Sequence, residues 1–226
     1  MNRAVLWLAL GLVGAGCAGA SDSANTADAD AAGAPAAEAS SAAAPSPEAA
    51  AMLASIKEAS AKYEDINVAL AEGFFPDPSG MCVTADMVGL PAEQGAMGVH
   101  YAHPGRLGLT EGSEPVDGTD GVLDWTQPEV LVYEPQADGS MKLAAVEFLV
   151  FKAPWEAAGN AAPPSFFGTP FFSMANDPAT PADEAHGFTP HYELHMWLPR
   201  ENPNGVFAEF NPAVSCQHAA GQPHGG

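Results

Sequence analysis

The chain has 226 residues, a formal net charge of -21 and a pI near 4.3. With 28 acidic residues against 7 lysines and arginines, its surface repels phosphate, which argues against unaided binding of nucleic acid or of an anionic lipid surface. Hydrophobic residues make up 47% of the chain, too many for disorder throughout, and the aromatics concentrate after residue 60, enough for one ordinary domain and short of two.

Met1, Asn2 and Arg3 form a short positive start, Ala4 to Val13 an apolar stretch, and Gly14-Ala15-Gly16 lead into Cys17. This is the layout of a secretory signal ending at a lipobox, too short for a comfortable spanning helix. Bacterial lipoprotein signals look like this, and the likeness implies cleavage before Cys17 and acylation of that cysteine. The protein would then sit on the periplasmic face of a membrane, the outer membrane favoured, with the lipid as its membrane partner. Gly14 stands where a bulky residue is usual, which leaves a simple secreted form open. Residues 18–50 hold 16 Ala, 5 Ser, 3 Pro, 5 acids and no base. Such a segment has nothing to pack and reads as a flexible tether. The expected organisation is a signal peptide over 1–16, a lipidated Cys17 with its linker over 17–50, one domain over 51–216 and a His/Gly tail over 217–226.

With Cys17 given to lipid, Cys82 and Cys216 remain as a pair in an exported domain, where a disulfide is chemically permissible. Two free thiols or a thiolate metal site is the alternative, weakened by the lack of a CxxC partner.

From Pro47 to Phe75 the spacing of Met52, Ile56, Ala59, Tyr63, Ile66, Leu70 and Phe74 predicts one long helix, capped at Ser46 or Pro47 and ended by Gly73 and Pro76. Residues 76–128 are rich in Gly, Pro and Asp, with short strands expected at Met81 to Met87 and Gly98 to Tyr101. Glu129 to Glu134 and Met141 to Lys152 flank a turn at Pro135, Asp138 and Gly139, which makes a hairpin. In its second strand Leu143, Ala145, Glu147, Leu149 and Phe151 share one face, and Ala144, Val146, Phe148 and Val150 the other. Both faces are apolar, so the strand is expected to be central and Glu147 to be buried, where it needs a partner. Pro163 to Phe172 reads as a packed surface loop or lid. His191 to Leu198 alternates, with His191, Glu193, His195 and Trp197 on one face and Tyr192, Leu194, Met196 and Leu198 on the other.

Imidazole and carboxylate together suit zinc, iron, copper or manganese. Along an extended strand His191 and His195 lie about 13 Å apart, too far to share one ion, so Glu193 with His195, or His195 with groups from other strands, is the expected combination. A second source is Met97-Gly-Val-His-Tyr-Ala-His-Pro, where His100 and His103 are candidate ligands and Gly95 and Gly98 allow close backbone approach. The sharpest expectation is a cupin-like pocket holding one divalent ion between His100, Glu147 and His195, with Glu134, His103 and His191 as alternative ligands. Glu147 or Glu193 would serve as base and Tyr101 or Tyr192 as proton donor. A metal-free hydrogen-bonded network, or an organic small-molecule ligand in the same cleft, remain as alternatives. HExxH, GxSxG, P-loop and GxGxxG signatures are absent.

Met97-Gly-Val-His-Tyr, Pro128-Glu-Val-Leu-Val-Tyr-Glu-Pro, Tyr192-Glu-Leu-His-Met-Trp and the run Asn202-Pro-Asn-Gly-Val-Phe-Ala-Glu-Phe-Asn-Pro-Ala-Val-Ser-Cys216 resemble a family of secreted prokaryotic proteins of uncharacterised function. The resemblance spans residues 60–216 and directs attention to His100, Glu134, Glu147 and His195. Leu198-Pro199 departs from its Leu-Trp ending. The expected fold is α+β, with a mainly antiparallel, cupin-like or barrel-like sheet and a long N-terminal helix. The expected function is an exported metal-binding lipoprotein, as an envelope metalloenzyme, or alternatively a non-catalytic ligand-binding or scaffold lipoprotein.

Overall fold

The computed structural model describes residues 45–179 and 183–220, so the signal segment, Cys17, most of the linker and the end of the tail lie outside the described residues. Ser46 caps the first helix, its hydroxyl accepting from the Ala49 N–H at 3.2 Å, with Pro47 in the first turn. This helix, α1 (Pro47–Ser60), buries Ala49, Leu53, Ile56 and Ser60. The single helix expected to run on to Phe75 is interrupted. Ser60 donates its hydroxyl to the Ile56 carbonyl at 2.7 Å, a 3-10 turn follows over Ala61–Glu64, and Asp65, in extended conformation, caps α2 (Ile66–Glu72) by accepting from the Asn67 N–H at 3.0 Å. A serine that competes for main-chain carbonyls, followed by a strong capping residue, restarts the helix at a new angle. The break turns Tyr63 inward, where its carbonyl accepts the Tyr133 hydroxyl at 2.8 Å, and leaves Leu70 40% exposed.

The strands are β1 (Phe75–Pro76), β2 (Cys82–Thr84), β3 (Ala96–Ala102), β4 (Val130–Pro135), β5 (Met141–Phe151), β6 (Ser165–Phe166), β7 (Thr169–Pro170), β8 (Phe172–Met174) and β9 (His191–Met196). Seven of them form one antiparallel sheet in the order β1-β3-β4-β5-β9-β8, with β2 also paired to β3, while β6 and β7 make a separate small ladder. The fold is therefore α+β with β5 central, as expected. The barrel-like closure is not formed. Edge strands of two and three residues offer too few ladder bonds to join the ends, and no pairing of β1 with β8 occurs among the described residues.

One face of the sheet carries Leu131, Tyr133, Val146, Phe148, Val150, Leu194 and Met196, packed with Ile56, Tyr63 and Phe74 from the helical segment. The other face has two apolar clusters. Val132, Ala145 and Trp197 pack with Cys82, Val214 and Cys216, and Ala102, Val130, Leu149 and Phe151 pack with Leu107 and Phe188. Alternation along β3, β5 and β9 sets His100, Glu147, Glu193 and His195 on this second face, between the two clusters. The strict alternation expected of β5 fails at its start. A register shift between Val132 and Tyr133 sends Leu143 to the helix side and puts Ala144 beside Ala145.

Cys82 and Cys216 are joined in a disulfide across 134 residues. It ties β2 to the segment that returns over the sheet after the Asn202 turn, and the chain-entropy account assigns it about 5 kcal/mol. The Gly95 main chain lies so close to that segment that a Cβ there would collide with the Asn211 carbonyl oxygen. Order continues past the disulfide, with Ala219 packed into the same cluster.

Candidate metal centre

Three strands contribute one ligand-type side chain each. His100 Nε2 lies 3.0 Å from His195 Nε2, and Glu147 Oε2 is 3.3 Å from the first and 3.4 Å from the second. The register accounts for two of the three, since Glu147 is paired directly with His195. His100 stands on β3, three strands from β9, about 14 Å away in a flat sheet. The contact of the two rings therefore requires the sheet to curve toward this face. Between them β4 presents only Val130 and Val132 on this face, small enough for an imidazole to pass over. Gly98, two residues before His100, has φ +119, and a Cβ there would meet the Tyr133 carbonyl oxygen at 2.8 Å, so glycine lets β3 press against β4.

All three side chains are buried, His195 and Glu147 completely. Burial pushes the Glu147 carboxyl well above the ordinary carboxylate range, and the charge of Glu193 adds to the effect. Burial pushes His195 down to about 4, reinforced by His186 and opposed by Glu193, and drives His100 well below its usual value, with the charges of His186 and His195 adding. Burial also opposes ionisation of Glu193, but the hydrogen bond from His191 and the charges of His195 and His191 outweigh it and hold the carboxyl at about 2. Both histidines of the triad are thus set neutral, the form that donates a lone pair to a metal.

Next to the triad are two residues that the sequence pattern did not single out. Asp77 Oδ2 lies 3.9 Å from His100 Nδ1 and 3.6 Å from His186 Nδ1, and the rings of His100 and His186 are 4.0 Å apart at their centroids. Asp77, His100 and His186 form a second group able to hold an ion, sharing His100 with the first. Both new residues sit on loops, where no periodicity marks a buried side chain. The available signal was local, Asp77 between two prolines and His186 before Gly187.

Nine buried side-chain nitrogen or oxygen atoms among the described residues lack a hydrogen-bond partner, and eight of them belong to Asp77, His100, Glu147, His186, Glu193 and His195. The ion pairs of Asp77, Glu147 and Glu193 among the described residues are with histidines alone. Burying so many unsatisfied polar atoms with no lysine or arginine to balance the carboxylates is costly. A cation bound among them would remove that cost.

The remaining candidates lie elsewhere or act otherwise. Glu193 Oε1 is 3.8 Å from His195 Nδ1, and its Oε2 meets His191 Nε2 at 3.1 Å. His191 donates from Nδ1 to the Thr189 carbonyl at 3.0 Å and stays out of both groups, as the extended strand requires. Glu134 binds Arg200 at 2.6 Å and accepts from the Ser215 N–H at 3.0 Å, a brace on the returning segment. His103 caps the short helix α3 (Pro104–Leu107) by accepting from the Arg106 N–H at 3.1 Å. Tyr101 lies on the helix side of the sheet against Tyr133, and Tyr192 shares that side, so neither phenol faces the triad. Surface cavities of about 710, 530 and 310 Å³ are lined by residues outside the triad, the smallest of them by Tyr101.

The chain matches no protein-family model, no curated protein and no solved structure.

Proposed function

We propose that the chain is an exported, lipid-anchored protein of a bacterial envelope that holds a divalent first-row metal ion between His100, Glu147 and His195. The observation that carries this reading is the convergence of three otherwise unpartnered ligand atoms within 3.4 Å of one another in a fully buried site. For ligand atoms 3.0, 3.3 and 3.4 Å apart, an ion about 2.1 Å from each would sit roughly 1 Å out of their plane and see angles of about 90–110°. Two imidazoles and a carboxylate without thiolate suit zinc, iron, copper or manganese. Complete burial favours an ion held for structure, storage or electron transfer over one exchanging bulky substrates. Glu193, with Oε1 3.8 Å from His195 Nδ1, is the base this reading places beside the ion.

Export is supported by the signal-like start and the Cys82–Cys216 disulfide, which belongs in an oxidising compartment. No described helix is long and apolar enough to cross a membrane, and the anchor would be the lipid on Cys17. Kinship with the family of secreted prokaryotic proteins is part of the same proposal.

The test is elemental analysis of the full chain purified without metal-affinity resin, with His218→Ala and His224→Ala to remove tail histidines. A stoichiometric ion that disappears in both His100→Ala and His195→Ala supports the reading. Metal-free protein that stays folded, and takes up no ion on dialysis, refutes it and favours the scaffold alternative. Cys17→Ser should move the protein from the detergent phase to the aqueous phase, and unchanged partition would remove the lipid anchor.

A further inference from the structure

We infer that the cluster is built for two ions bridged by one imidazole, the second position lying between His100 Nδ1, Asp77 Oδ2 and a ring nitrogen of His186. The inference rests on the reading of His100 as a ligand through Nε2, because it assigns a partner to that ring's other nitrogen.

His186 carries the first part of the argument. It is 1% exposed, both of its ring nitrogens lack hydrogen-bond partners, and its backbone has φ +54, which a side chain of that size rarely adopts. A histidine kept only for packing has no use for two buried unpartnered nitrogens. The loop that carries it is firmly held. The side chain of Asp183 accepts from the Ala185 N–H at 3.1 Å and from the Gly187 N–H at 2.9 Å, and the Val116 N–H donates to the Gly187 carbonyl at 2.8 Å.

Asp77 carries the second. Its Oδ1 accepts from the Ser79 hydroxyl at 2.6 Å and from the Gly80 N–H at 2.7 Å, and its own N–H donates to the His100 carbonyl at 2.9 Å. These bonds fix the carboxylate with Oδ2 turned to the two imidazoles and otherwise unpartnered. If Asp77 served only to orient His100, its Oδ2 would accept the Nδ1 proton, but 3.9 Å is too long for that bond. The opening is wider here, 3.6 to 3.9 Å against 3.0 to 3.4 Å in the triad, so this is the weaker and later-filled position. On filling, each ring nitrogen of His100 gives a lone pair to one ion, and the single N–H proton of that ring leaves to solvent. No oxidation or reduction is involved.

The experiment is equilibrium dialysis of the full chain, carrying His218→Ala and His224→Ala, against Cu(II), with elemental analysis and copper electron paramagnetic resonance. The parent should bind two ions per chain with a resonance integrating to far less than two spins, because an imidazolate couples the pair. Asp77→Asn and His186→Asn, the latter tolerant of the left-handed backbone, should each bind one ion with a full one-spin signal. Glu147→Gln should also drop to one ion. A parent that binds one ion, unaffected by Asp77→Asn and His186→Asn but lost in Glu147→Gln, overturns the second position and leaves the triad. One ion lost in Asp77→Asn but kept in Glu147→Gln overturns the triad and keeps the second position. Two ions with full, uncoupled signal overturn the bridge, and no stoichiometric ion overturns both.

Discussion

Replacing Glu147 by glutamine should leave the metal-free protein at least as stable as the parent and make the metal-loaded protein less stable than the loaded parent. In the metal-free fold the carboxyl is completely buried and pushed well above its ordinary 4.5, so at neutral pH folding must either protonate it or bury its charge. That costs about 1.4 kcal/mol for each pH unit by which the folded value exceeds the unfolded one, as long as the pH lies above both. Glutamine has nearly the same shape and no such cost, so metal-free Glu147→Gln should match or exceed the metal-free parent. With metal the balance changes. Taking about 10–16 kcal/mol for a four-ligand zinc site, one ligand is worth about 3 kcal/mol, or roughly 100-fold in affinity. Where free ion at 100 times the dissociation constant stabilises the parent by about 2.7 kcal/mol, the variant would gain only about 0.4 kcal/mol. For a domain of this size the difference is about 5–9 °C in Tm. Calorimetric melts with chelator and with a fixed excess of Zn(II) would measure both orders. A metal-free variant several degrees less stable than the parent, with the same zinc-induced shift, would refute the reasoning and make Glu147 a structural hydrogen-bonded acid.

Metal uptake should release protons wherever the Glu147 carboxyl, which burial pushes well above the ordinary carboxylate range, still carries its proton; calorimetry across pH in buffers of different ionisation enthalpy would count them, and a buffer-independent heat at every pH would contradict the assignment. The stability that His195 contributes to the metal-free fold should fall as pH drops from about 6.5 to about 4, since this ring titrates at about 4 when folded and near 6.5 when unfolded and the unfolded chain therefore binds the proton first. This ring contributes on the order of 3 kcal/mol to that loss, which flattens below pH 4, while Glu147, shifted the opposite way, adds a loss as pH rises from 4.5. Urea melts of metal-free Glu147→Gln, which lacks the opposing carboxyl, would show the decline, and chelator-treated and zinc-loaded parent proteins should differ least at low pH. Cys82→Ala with Cys216→Ala should cost several kcal/mol in the same melts, near the chain-entropy value of about 5, without changing metal stoichiometry in the protein that remains folded. Arg200→Ala should cost about 3 kcal/mol by stranding buried Glu134, again with metal affinity unchanged.

The members of the triad were legible because each lies on a strand. Alternation alone put His195 opposite Leu194 and made Glu147 the one acid of a central strand. The same reasoning kept His191 apart from His195. Their meeting with His100 depended on strand order and on curvature of the sheet, neither of which a periodicity encodes. Asp77 and His186 were not visible because their burial comes from loops pressed together, with Gly187 so near Pro78 that a Cβ would come within 2.7 Å of it. The expected long helix failed for a local reason, since Ser60 and Asp65 are a stop and a start within an apparently continuous stripe. Tyr101 cannot be the proton donor expected of it, because it follows His100 in a strand and adjacent residues there face opposite sides. Glu134 and His103 were plausible ligands by type; a tertiary contact with Arg200 makes the first a brace, and a local cap on the Arg106 N–H, three residues on, occupies the second.

X-ray absorption at the metal edge tests the central claim most directly. On the full chain with the tail histidines removed and loaded with one equivalent of Zn(II), the account predicts a first shell of nitrogen and oxygen at about 2.0–2.2 Å, no sulfur, and outer-shell scattering from two imidazoles that falls to one in His195→Ala. A spectrum without imidazole scattering, or one unchanged by His195→Ala, would contradict it.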